Sequence, residues 1–64
     1  MKMRFVGQNN SLGFRYGVIY DVSLSINPIS KNIQLVALDK ITKRIRYCEY
    51  SNEVSLLNNW TGVD

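Results

Sequence analysis

The sequence predicts a small all-β domain, and three observations carry that reading. From Gly17 to Ile26, Val18, Tyr20, Val22, Leu24 and Ile26 fall at every second position, with Asp21, Ser23 and Ser25 between them. That is the period of two of a strand with one buried face. Three further short segments alternate or are rich in β-branched and aromatic residues, and Gly, Asn and Pro separate them. Finally, the chain has 64 residues, enough for a single domain over 1–64 that hides only about 60 % of the surface its unfolded form exposes. Few large apolar side chains can stay outside such a core.

The first strand is expected over Lys2 to Val6, with Met3 and Phe5 inward and Lys2 and Arg4 outward. Gly7 to Gly13 is polar and Asn-rich, a surface loop with Leu12 as its anchor. Phe14, Arg15 and Tyr16 lead to Gly17, whose missing side chain permits a turn or a close approach before the long strand. Asn27-Pro28 ends that strand, since proline has no N–H for the ladder. Ile33 to Leu38 is the next strand, with Ile33, Leu35 and Ala37 on one face and Val36 and Leu38 on the other. Asp39 to Lys43 is a connection of hairpin length. Arg44 to Tyr50 follows as an antiparallel strand, with Ile45 and Tyr47 on one side and Arg44, Arg46, Cys48 and Tyr50 on the other. Ser51 or Asn52 can cap a short helix or helical turn near residues 52–58, with Glu53 well placed in its first turn. Trp60 to Val63 supplies a last strand. No internal repeat or linker is visible. Five strands with one helical turn before the last describe a small barrel or orthogonal sandwich.

Several chemistries are excluded. The chain contains no histidine, so no Ser–His or Cys–His pair can form. Its five carboxylates, Asp21, Asp39, Glu49, Glu53 and Asp64, are scattered, and one thiol with no imidazole makes no four-ligand metal set. Gly7, Gly13, Gly17 and Gly62 are too far apart for a phosphate loop. No enzyme activity, cofactor or metal is expected. Cys48 is the only cysteine; no internal disulfide is available, a reducing cytoplasm fits, and the thiol reads as a small packed residue. Tyr20 and Trp60 read as packing groups. The apolar run after Met1-Lys2-Met3-Arg4 stops at Val6, short of a signal sequence, and no stretch approaches a membrane span. The Asn9 and Asn59 matches to the glycosylation pattern are therefore read as chance.

The segment Gly17-Val18-Ile19-Tyr20-Asp21-Val22, with Phe14 three residues ahead, resembles the Gly-x-x-Tyr-x-Val opening of small Src homology 3-like barrels encoded by phages and prophages of Gram-positive bacteria. Tyr50-Ser51-Asn52 followed by Asn59-Trp60 is similar to their ending. The likeness runs from Met3 to Val63, and departs at Asp39 to Lys43, which lacks the glycine often found in that turn. It implies a five-stranded Src homology 3-like barrel of phage or prophage origin in a bacterial cytoplasm, a group whose members mostly have no assigned activity. Proline-rich peptide recognition does not transfer with the fold, because the first long loop here is uncharged.

The net charge is +3, and the basic hairpin is the candidate working surface. Lys40, Lys43, Arg44 and Arg46 lie close together, with Tyr47 and Tyr50 on the same strand. Such a strip can receive an acidic patch on a protein, where Arg and Tyr are favoured. It can also hold phosphates and stack a base, or serve only as a charged strand that resists aggregation. The modest charge and Glu49 within the strip favour a host protein as partner, with nucleic acid as the alternative. Val36 and Leu38 raise a third expectation, a homodimer or homo-oligomeric subunit that covers them, unless the loop from Asn9 to Phe14 does so.

Overall fold

The computed structural model describes residues 1–8 and 11–63. Five antiparallel strands, β1 (Lys2–Phe5), β2 (Ile19–Ile26), β3 (Ile33–Asp39), β4 (Arg44–Tyr50) and β5 (Trp60–Gly62), form one sheet, with a single helix α1 (Glu53–Asn59) before the last strand. The spatial order is β4-β3-β2-β1-β5. Strands adjacent in sequence pair from β1 to β4, and the chain then carries β5 round to the free side of β1.

The alternating pattern decides which side of the sheet is buried. Met3 and Phe5 of β1, Tyr20 and Val22 of β2, Leu35 and Ala37 of β3, and Cys48 and Tyr50 of β4 point to one inner face, where Phe14, Leu56 and Trp60 complete the core. Four rings form its centre: the Phe14 ring lies 4.9 Å from that of Trp60, 5.3 Å from Phe5 and 5.3 Å from Tyr20. Most of these contacts are tilted or edge-on, the arrangement that brings a positive ring edge to a negative ring face. Their polar ends are matched. The Trp60 indole N–H donates to the Tyr50 hydroxyl at 2.9 Å, and the Arg15 backbone N–H donates to the Tyr20 hydroxyl at 3.1 Å. Among the described residues no buried side-chain polar atom lacks a partner, as a core this small requires.

The inward pattern of β2 weakens along the strand. Tyr20 and Val22 are buried and Leu24 is half-buried, but Ile26 is 58 % exposed, so it is not the core residue its spacing suggests. The inner face continues past the end of the core there. The strand also starts two residues after Gly17, which sits at φ +83° and would meet nothing with an added Cβ; it makes a turn rather than a close approach. Its N–H donates to the Phe5 carbonyl at 2.7 Å, holding the loop back onto β1. Leu12 is exposed at φ 57°, and Phe14, fully buried, is the anchor of the first loop. Asn9 and Asn10, which carry one of the glycosylation matches and the start of the proposed covering loop, lie outside the described residues.

Two turns frame β3, and they are built alike. In Asn27-Pro28-Ile29-Ser30-Lys31, the Asn27 side chain accepts from the N–H groups of Ile29 and Ser30, and the Lys31 N–H returns to the Asn27 carbonyl at 2.8 Å. In Asp39-Lys40-Ile41-Thr42-Lys43, Asp39 accepts from Ile41 and Thr42, and the Lys43 N–H returns to the Asp39 carbonyl at 2.8 Å. Short Asn and Asp side chains can imitate a backbone acceptor in this way. Each turn closes on a lysine in the left-handed region, Lys31 at φ 65° and Lys43 at φ 62°. Lys43 thus occupies the kind of position for which glycine is the low-cost residue.

Asn52 caps α1: its side chain accepts from the Ser55 N–H at 2.9 Å, and Glu53 follows in the first turn. A good cap contributes about 1 kcal/mol. Leu56 is the buried residue of α1, while Val54 and Leu57 are exposed, so the apolar side expected from their spacing is only partly used. The helix packs against β4 and β5, the two edge strands of the sheet. Among the described residues no helix is long and apolar enough to cross a membrane.

Candidate interaction surface

Strand register separates the side chains that the sequence groups into one strip. Tyr50 is buried and its hydroxyl accepts from Trp60; burial pushes its phenol up to about 12. Its ring is a wall of the core, not a stacking surface beside Arg44 and Arg46. Tyr47 is 57 % exposed but lies on the opposite, outer face of β4. Lys40 is turned towards that side too, with its Nζ 3.0 Å from a carboxylate oxygen of Asp21. Arg44 and Arg46 point to the inner face beyond the end of the core, and Lys43 is held in the turn by its backbone.

The outer face is apolar near β4. Val36 is 38 % exposed opposite Tyr47, and half-buried Leu38 lies opposite Ile45, which is 71 % exposed. The described part of the first loop does not cover them: Phe14 enters the core and Gly13 lies against Arg46 on the other side. At the far end of this face Glu49 accepts from Gln34 at 3.3 Å and Asn27 at 3.4 Å. Its carboxyl is held below the usual range, most strongly by the Tyr47 hydroxyl and then by Gln34. The Tyr47 phenol is raised, first by partial burial and then by its bond to Glu49. The Tyr47 ring stays open to solvent.

The inner face opens at both ends. Near the β2–β3 turn, Leu24, Ile26, Ile33, Leu56 and Leu57 line a shallow apolar groove of about 340 Å³ beside α1. Near the β3–β4 turn, a cleft of about 440 Å³ lies between the first loop and the start of β4, and Arg15, Arg44 and Arg46 all line it. Asp39 is its one carboxylate among the described residues. That carboxyl is held below the ordinary carboxylate range, chiefly by the Ile41 N–H, with Thr42 and the charge of Arg15 adding to it. Val18, Tyr20 and Ile41 supply apolar wall.

Arg15 was not legible as a member of this site. It is 29 residues before Arg44 in the chain, and only the anchoring of Phe14 swings it against β4. The usable signal was Phe14 itself: a buried aromatic at the end of a loop fixes where its neighbour goes. Cys48 is buried among apolar groups, which raises its thiol and keeps it protonated and unreactive. Comparison with family models, with curated proteins and with solved structures finds no match to this chain.

Proposed function

We propose that this chain is a Src homology 3-like barrel working as a non-enzymatic interaction module, a phage or prophage accessory protein that binds a host protein in the bacterial cytoplasm. The observation that carries this reading is edge strand β4, which presents Ile45 and Tyr47 on one face and Arg44 and Arg46 on the other. Exposed aromatic and aliphatic groups next to arginines are the residue types that dominate protein-binding hot spots. The element order, five antiparallel strands with one helix before the last, supports the barrel; the phage origin rests on the sequence resemblance.

Affinity capture from bacterial lysate tests the module, comparing the wild type with the Ile45→Asp/Tyr47→Asp variant. A protein retained by the wild type and lost by the variant, and binding again once purified, supports it. Recovery of nucleic acid instead, released by moderate salt, would reverse the ranking in favour of the basic stretch from Lys40 to Arg46 as a phosphate contact. The outer patch of Val36, Ile45 and Tyr47 also supports a second reading, a homodimer that covers it. Light scattering on the wild type and Val36→Asp decides this: a monomer mass for both removes the dimer.

A further inference from the structure

We propose that the cleft between Arg15, Arg44 and Arg46 is a carboxylate-binding pocket that takes neighbouring acidic side chains of an extended peptide. The pocket rests on the reading of this chain as a protein-binding module, and it gives that module a defined ligand chemistry.

The pocket is built rather than incidental. Gly13 sits at φ +83°, and a Cβ there would stand 3.2 Å from the Arg46 Cζ and 3.3 Å from its Nε and Nη1. Glycine therefore lets the guanidinium lie close against the loop backbone, which restricts the side chain before any ligand arrives and lowers the ordering cost of binding. Arg44 stands opposite Asp39 in the β3–β4 register, and Arg46 opposite Ala37, a residue too small to crowd it. Arg15 comes in from the other wall, positioned by its own N–H bond to the Tyr20 hydroxyl at 3.1 Å. Three arginines thus line one cleft with a single carboxylate among the described residues. Planar guanidinium groups match carboxylates with two parallel N–H bonds.

Asp39 selects among anions. Its Oδ1 is taken by the turn N–H groups of Ile41 and Thr42, at 2.9 Å and 3.3 Å. The carboxylate still has acceptor capacity, which opposes every anion alike but can take an N–H donor that arrives with one. A peptide supplies carboxylates and N–H donors together; a phosphodiester chain has no backbone N–H to offer. Val18 and Ile41 give the aliphatic stems of glutamate a wall to pack on.

The test is an amide-shift titration of the whole chain at low salt with a blocked peptide, acetyl-Glu-Glu-Leu-Glu-Glu-amide. The all-Gln counterpart and a short oligothymidylate serve as comparison probes. Shifts should centre on Gly13, Arg15, Ile41, Thr42 and Arg46 with the acidic peptide and vanish with the Gln peptide. Arg44→Gln and Arg46→Gln should each weaken binding about tenfold, with Val54→Ser, on the exposed side of α1, unchanged. Equal binding of the Gln peptide, or no binding of either peptide, overturns the pocket. Peptide binding that responds to Tyr47→Ser and ignores both arginine variants overturns the pocket and leaves the module standing. Tighter binding of oligothymidylate at the same residues overturns both.

Discussion

Replacing Tyr50 by Phe removes one oxygen from the core and nothing else. That oxygen accepts the Trp60 indole N–H at 2.9 Å, and Trp60 is fully buried, so water cannot take its place without opening the core. The lost neutral hydrogen bond and the stranded donor together cost about 2 kcal/mol, within a range of about 1–3. For a domain of this size each kcal/mol moves the midpoint by about 4–8 °C, so thermal unfolding should shift down by about 8–16 °C. Circular dichroism melts of four proteins, the wild type, Tyr50→Phe, Trp60→Phe and the double variant, give the coupling directly. Once the indole donor is gone, the Tyr50 substitution should cost little, leaving a coupling of about 1–2 kcal/mol. A loss below about 0.5 kcal/mol for Tyr50→Phe, or the same loss in both backgrounds, would refute the claim that this bond closes the core.

The same hydroxyl makes stability depend on alkaline pH. The Tyr50 phenol is raised from 10.0 to about 12 by burial, so between those values the unfolded chain releases its proton first. Stability is intact below about pH 10 and falls as pH rises towards 12; melts across that interval should slope less steeply for Tyr50→Phe, and equal slopes would contradict the assignment. The second turn offers a backbone test, since Lys43 holds φ 62°. Lys43→Gly should leave stability unchanged or raise it by up to about 1 kcal/mol, whereas Lys43→Val should lower it by about 1–2 kcal/mol; chemical denaturation reads both.

The sequence revealed those parts of the fold where a period of two coincides with burial. Met3, Phe5, Tyr20, Val22, Leu35 and Ala37 face inward as their spacing requires, and Asn52 and Glu53 open a helix at the expected place. The reading failed where alternation continues beyond the core. Ile26 and Arg44 both keep the inner-face parity, but no layer covers the sheet at its ends, and parity alone cannot say where cover stops. The division of β4 was legible, since residues one apart on a strand face opposite ways and Ile45 and Tyr47 stand across from Arg44 and Arg46 as their alternation requires. Tyr50 did share their parity, but the indole that buries it comes from another strand. The paired turns do not read as a sequence repeat because their likeness lies in roles, an Asx acceptor first and a left-handed lysine last, rather than in identical residues.

The pairing of β1 with β5 sets an order of events during synthesis. Strands β2, β3 and β4 need only their own short turns to find register, so they can begin to assemble as they leave the ribosome. The ring cluster cannot. Phe5, Phe14 and Tyr20 emerge early, yet the indole they surround follows 40 residues after Tyr20, and the Val63 N–H that reaches the Lys2 carbonyl at 3.1 Å comes later still. A nascent chain therefore carries three unsheltered rings until β5 has emerged, and closure joins β5 to β1 in one late step.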